Sequence, residues 1–323
     1  MNSYGMLLCS FFMKQRFKKG NENVYKLNGE YNYIDDVGNQ NSYEDFFAIM
    51  QAFCKKYEDV ADDEKEQKLF SIKKESVSVS ETDTYKTMSF IIMSGSYGIE
   101  GYIKKRITYE TVHVRTRDQA EIQEFVCVVY IPKDIRGVNI EKGMMVFQSI
   151  GNYGVKTITT DYIRLFLSSM GLTFETRSVS VRAFMEKLIE QGRLYKITLI
   201  RDRVSPNDAD NMLISTGREE KSYVNPKPKP EWMNRILRIF DSMDETGVYE
   251  LPDDNQFDDI SIQFKIGNRM RTVRLKRLER LSIVEDIPDI IVRESDLKKI
   301  IDYMIQTADT YTEKMVFTVS RGV

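Results

Sequence analysis

Paired carboxylates are the main catalytic apparatus this chain could assemble, and their spacing does not suit the task. A restriction-type nuclease places Asp on a strand and Glu-x-Lys a few residues on, to hold Mg²⁺ and orient water. Glu219-Glu220-Lys221, Glu141-Lys142 and Glu186-Lys187 all lack that spacing. Asp202, Asp208 and Asp210 lie close in sequence, but helix capping accounts for Asp208 and turn chemistry for Asp202. His113 is the only histidine, and Cys9, Cys54 and Cys127 are far apart and in apolar company. A zinc site or a Cys/His pair has almost nothing to work with. No catalytic residue, metal site or cofactor is assigned, and the balance stands against an enzyme.

Anion binding is the chemistry the residues suit better. The loop Ile150 to Thr157, IGNYGVKT, lies between an apolar run and a helical pattern. A Walker A loop has four residues between its glycines and Lys directly after the second. Here only Asn152 and Tyr153 separate Gly151 from Gly154, and Val155 precedes Lys156, so an NTPase is not expected. Glycines before a helix still leave backbone N–H groups facing one way, an anion site when Lys156 is near. The competing reading is a tight turn whose glycines serve geometry alone.

Three basic clusters could meet phosphates. The richest, GNRMRTVRLKRLER, holds Arg269, Arg271, Arg274, Lys276, Arg277 and Arg280 against one acid, Glu279. As a strand it would present one apolar and one cationic face, able to track a phosphate backbone. Asp253, Asp254, Asp258 and Asp259 lie just upstream and could neutralise it. Lys104, Lys105 and Arg106, with Arg115 and Arg117, form a second cluster on an expected hairpin. The third, Lys14, Arg16, Lys18 and Lys19, is weaker.

The elements that must hold these residues follow from pattern. With 30% charged and 41% hydrophobic residues, only 17 Gly and 7 Pro in 323, the chain reads as regular elements joined by short connections. The net charge of −2 means that any nucleic-acid contact must come from a local patch. No apolar run approaches a membrane span. In MNSYGMLLCSFFMKQRFKK the basic residues follow the apolar ones, the reverse of a secretory signal, so this is read as a buried first strand. With three odd, apolar cysteines, a cytoplasmic setting is expected.

Ser42 is read as opening a helix, with Asp45 as its capping partner. That helix would bury Phe46, Phe47, Met50, Phe53, Cys54 and Tyr57. FVCVVYIPK reads as a central strand and GMMVFQSI as another, followed by a helix closed by Gly171. Ile107, Tyr109 and Val112 are read as alternating in a strand. Further helices are expected over 181–191 and 232–242, with a helix start at Ser205. The final helix opens at Ser295, after a hairpin turning at Gly267-Asn268. The expected fold class is α+β: a mixed β-sheet core flanked by helices, with a smaller C-terminal hairpin-plus-helix domain. The expected division is an N-terminal α+β unit (1–88), a central sheet domain with the GNYGVKT loop (89–222), a Pro/Lys linker (223–230) and the C-terminal domain (231–323).

The run FVCVVYIPK, GMMVFQSIGNYGVKTI, GRLYKITLIRDRVSPNDAD is similar to a recurring pattern in bacterial proteins of phage-defence and abortive-infection loci. Over roughly residues 90 to 310 the order of elements also resembles the RexA-like family of phage-exclusion proteins. The shared order is strands, a basic linker, a hairpin beginning near Phe257, Asp259, Ile260 and Ser261, and a C-terminal helix. The resemblance implies a DNA-binding, dimeric sensor that acts through a partner, a small membrane protein in the RexA case. The resulting expectation is a cytoplasmic antiphage protein, a homodimer that binds DNA or RNA without sequence specificity as sensor or adaptor. A membrane-protein or effector partner would be encoded nearby. Lys156, Arg269, Arg271, Arg274, Lys276, Arg277, Lys104, Lys105 and Arg106 would contact phosphates, beside the loop Gly151, Asn152, Tyr153 and Gly154. Two alternatives stay open: a Mg²⁺-dependent nuclease effector, and a protein-interaction module that binds no nucleic acid.

Overall fold

The first strand, β1 (Tyr4–Gln15), is apolar on both sides of its pleat. Cys9, Phe11 and Met13 fall on one side, Met6, Leu8 and Phe12 on the other, and all six are buried. Such a strand must be covered on both faces. The first unit continues with β2 (Tyr31–Ile34), β3 (Gln40–Tyr43), α1 (Phe46–Lys56), β4 (Ala61–Asp63), β5 (Lys68–Ile72), β6 (Ser78–Glu81) and β7 (Tyr85–Ser96). Then come β8 (Gly101–Lys104), β9 (Thr111–Arg115), β10 (Gln123–Pro132), β11 (Gly143–Ile150), β12 (Tyr153–Gly154), α2 (Lys156–Ser168) and β13 (Leu172–Arg177). The second unit has β14 (Arg193–Arg201), β15 (Glu219–Val224), β16 (Asp259–Ile266) and β17 (Arg269–Arg274). Last are β18 (Ile283–Asp286), α3 (Asp289–Arg293) and α4 (Leu297–Thr312).

The computed structural model describes residues 4–16, 23–34, 38–133, 140–151, 153–177, 179, 185–186, 188–189, 192–201, 218–227, 259–266, 269–274, 283–293 and 296–312. The fold is α+β, as the pattern of elements predicts. The chain forms two compact units, Met1–Thr176 with Val284–Val323, and Arg177–Ile283. The hairpin β16–β17 therefore falls in the second unit and α4 in the first, while residue 88 lies inside β7.

Among the described residues the first unit holds a ten-stranded sheet in the order β13-β1-β11-β10-β7-β5-β4, with β12 on β11, β18 on β1 and β6 on β7. The pairs β1–β11, β10–β11, β7–β10 and β5–β7 are antiparallel. Buried residues alternate across the central strands. Phe125, Cys127, Val129 and Ile131 of β10 share a core with Met145 and Phe147 of β11, with α1 and with α2. Within it Phe11 lies against Phe46 and Phe174, with ring centroids 4.7 and 5.3 Å apart. Val126, Val128 and Tyr130 are buried on the opposite side. There α4 buries Ile300, Met304, Ala308 and Tyr311, and the Tyr130 hydroxyl donates to Asp309 at 2.5 Å.

Helix ends follow local chemistry. Asp45, with extended φ/ψ of −157° and −178°, caps α1 by accepting from the Ala48 N–H at 2.9 Å. Ser42, expected as that cap, lies in β3 and donates to Glu30 instead. At α4 the cap is Asp296, which accepts from the Lys298 N–H at 3.0 Å. Gly171, with φ of +70°, follows α2 and donates to the Ser168 carbonyl.

The second unit is a four-stranded antiparallel sheet, β15-β14-β16-β17, among the described residues. Ile197, Ile262 and Val273 stand in one row across it and are buried. Of the helix expected over 181–191, residues 185–186 and 188–189 are described and helical. The helix expected over 232–242, Ser205 and Ser295, the turn 267–268 and residues 228–230 of the Pro/Lys linker lie outside the described residues, while residues 223–224 of that linker are the end of β15.

Candidate nucleic-acid interface

Strand pairing builds the most exposed basic element of the first unit. β8 and β9 pair antiparallel, Gly101 to Arg115, Tyr102 to Val114, Ile103 to His113 and Lys104 to Thr111, with a bulge between Ile103 and Lys104. Among the described residues they form a sheet of two strands. The root is fastened at several points. The Gly98 N–H donates to the Arg117 carbonyl at 2.7 Å, and Arg115 Nε to the Ile99 carbonyl at 3.1 Å. His113 and the Thr116 N–H both meet Gln119 Oε1. Gly95, near the end of β7, lies so close to the returning segment that a Cβ there would stand 2.0 Å from the Glu121 carbonyl oxygen. Only glycine permits that approach.

The tip is a closed turn. The Lys105 N–H donates to the Glu110 carbonyl at 2.9 Å and the Tyr109 N–H to the Lys105 carbonyl at 3.0 Å. Tyr109 closes it with φ of +58°, a left-handed conformation that is uncommon for a bulky side chain. Arg106, Ile107 and Thr108 therefore project from a turn fixed by its own backbone. Ile107 is 87% exposed and Tyr109 76%. The shaft below leaves Tyr102, Ile103, Val112 and Val114 exposed as well. From Gly98 to Arg117 there are five cations, Lys104, Lys105, Arg106, Arg115 and Arg117, against Glu100 and Glu110. Lys105 pairs with Glu110 at 2.8 Å, Arg117 with Glu100 at 3.2 Å and Arg115 with Glu121 at 3.6 Å. Among the described residues no ion pair engages Lys104 or Arg106. The surface pairs offset little of the field, because water screens them.

The GNYG segment is a hairpin turn rather than an open loop. Ile150 pairs with Tyr153 and Ser149 with Gly154, and Gly151 has φ of +59°, as a two-residue turn requires. Tyr153 is exposed, and Asn152 lies outside the described residues. Lys156 is half-buried in the first turn of α2, and Val155 at the cap position offers no side-chain acceptor. Burial pushes the Cys9 thiol up to about 11, and the charge of Lys156 opposes that rise. Cys9, Cys54 and Cys127 are all buried and free, and burial raises each thiol.

In the second unit, register places the β17 arginines on two sides. Arg271, paired with Phe264 of β16, shares the side of Val273 by the alternation of the strand, and Arg269 pairs with Ile266 at its start. Arg274 is on the other side and pairs with Asp259 at 3.2 Å, where the Asp259 side chain is only 3% exposed. Asp259 is one of the acids expected to neutralise this hairpin. Lys276 and Arg277 lie outside the described residues, as do Asp202, Asp208, Asp210, Asp253, Asp254 and Asp258. Glu219 and Glu220 occupy adjacent positions of β15 and point to opposite faces. They pair with Arg201 at 3.3 Å and Arg218 at 2.7 Å. No group of His, Cys, Asp and Glu suited to a metal ion occurs among the described residues.

Sequence reasoning placed Lys104, Lys105 and Arg106 on a hairpin but missed Ile107 and Tyr109, because their alternation with Thr108 and Glu110 mimics a half-buried strand. The available signal was the cluster directly before them, since a run of three cations favours a solvated face. No known protein family matches the chain, and no curated protein matches its sequence. Among the described residues no helix is long and apolar enough to cross a membrane.

Proposed function

We propose that this protein binds nucleic acid without sequence specificity, through phosphate contacts made by the β8–β9 hairpin. The observation that carries this reading is the turn itself, where Lys104 and Arg106 stand without ion pairs among the described residues, beside exposed apolar side chains. A polyanion satisfies the cations, and each phosphate neutralised releases counterions and so makes the affinity salt-dependent. The β16–β17 hairpin contributes less, since Arg274 is committed to Asp259. Lys156 joins as a secondary contact at the start of α2. The role as a cytoplasmic sensor or adaptor in antiphage defence rests on the resemblance to phage-exclusion proteins. So do the homodimer and the membrane-protein or effector partner.

Fluorescence anisotropy with a labelled duplex and a labelled single strand, at several salt concentrations with and without Mg²⁺, tests the reading. Binding that weakens steeply with salt and leaves the probe intact is expected. Absence of binding at low salt removes the proposal, and probe loss that requires Mg²⁺ replaces it with the nuclease.

A further inference from the structure

Exposed apolar side chains on a hairpin are costly in water, and a two-stranded ribbon has no second layer with which to bury them. Here Tyr102 and Val114 stand as a cross-strand pair on one face of the ribbon, Ile103 on the other, and Ile107 at the apex. A ribbon apolar on both faces suits a cleft with two walls. A partly unstacked base step is such a cleft for the apex, its walls the faces of the neighbouring bases. The cations immediately precede the apex, and their long side chains can reach back to the phosphates beside an opened base step, whereas a bilayer would draw those charges toward hydrocarbon. A second copy of the hairpin would bring like charges together. Tyr109 holds the apex in one conformation, as a wedge requires.

From this geometry we infer that Ile107 is an intercalating wedge. It inserts between neighbouring bases while Lys104 and Arg106 hold the flanking phosphates, and Tyr109 stacks on the base so exposed. Apolar side chains used this way unstack a base step and kink the duplex. The preferred ligand is therefore nucleic acid that is already easy to unstack: bulged, nicked or single-stranded. This inference rests on the proposed phosphate contacts but makes a separate claim about the apolar apex.

The test uses the full chain with DNA duplexes carrying 2-aminopurine, one fully paired and one with a single-base bulge, and vesicles of mixed neutral and anionic phospholipid. Ile107→Ala is compared with Ile34→Ala, another exposed isoleucine outside the hairpin. The wedge predicts tighter binding to the bulged duplex and a rise in 2-aminopurine emission on binding. It also predicts that Ile107→Ala binds on the order of tenfold more weakly, the scale of one lost stacking contact, and abolishes the emission change. Its salt slope and the behaviour of Ile34→Ala stay unchanged. If the protein binds with the expected salt slope but gives no emission change, and Ile107→Ala binds like the parent, the wedge is wrong and the phosphate reading survives. If no DNA binds at low salt, both fall. If vesicles bind and DNA does not, the hairpin is a membrane-surface element and the wedge is again wrong.

Discussion

At the residue scale, two kinds of charge must be told apart. Arg274 is held by a nearly fully buried carboxylate, and Asp259 also accepts from the Ile260 N–H at 2.8 Å. Removing the guanidinium leaves a buried anion short of its cation, which costs about 3 kcal/mol. Arg274→Ala should therefore lower the urea midpoint of the second unit clearly, with Arg274→Lys intermediate. A midpoint unchanged by Arg274→Ala would mean that the pair is worth no more than a surface bridge. Lys104 and Arg106 should behave oppositely, since their replacement leaves stability unchanged. The sequence made this distinction only in part: it offered Asp259 as one of four acids near the richer cluster, and strand register singles it out as the partner of Arg274.

At the element scale, the hairpin depends on its root. Gly95 is pressed against the backbone at Glu121, so a methyl group there has nowhere to go and the segment that anchors β9 must shift. Gly95→Ala should cost about 1–3 kcal/mol by overpacking and loosen the hairpin. Hydrogen exchange of the Gly98 amide, slow in the parent because it is bonded to the Arg117 carbonyl, should speed up more than that of α1 amides. Equal rates in parent and variant would show that the contact is not fixing the hairpin. Much of this scale was legible in the sequence: β10 and β11 as central strands, the apolar face of α1, and Gly171 after α2. The miss at the start of α1 has a simple cause. Ser42 and Asp45 both have cap chemistry, but Ser42 is held in β3 opposite Asn32 of β2, a pairing no local pattern shows. Asp45 caps the helix with one oxygen and ion-pairs with Lys86 at 2.6 Å through the other.

At the scale of the whole molecule, the sequence showed the fold class but not which segments pack together. The strand β18 pairs with β1, and the Ile287 N–H donates to the Tyr4 carbonyl, closing the first unit across nearly the entire chain. No local pattern announces a partner so far away. The packing has a consequence in alkali. Burial raises the Cys9 thiol from an ordinary 9.0 to about 11, and it also raises the Tyr31, Tyr130 and Tyr311 phenols above their ordinary value of 10.0. These groups keep their protons in the fold where the unfolded chain would release them. Their contribution is intact below about pH 9 and is lost as pH rises, at up to about 1.4 kcal/mol per pH unit for each group in play. The urea midpoint under reducing conditions should hold from pH 7 to 8.5 and fall progressively from 9 to 11. A flat profile would contradict the buried placement of these residues.

The central claim, that the β8–β9 hairpin meets a polyanion, is tested most directly by the salt slope of DNA binding in Lys104→Glu/Arg106→Glu beside the parent. Each phosphate contact contributes about −0.9 to the slope of log K against log salt. The double variant should therefore bind more weakly at low salt, with a slope shallower by about 2 and unchanged stability. A double variant with the parent's affinity and slope would place the binding surface elsewhere and contradict the claim.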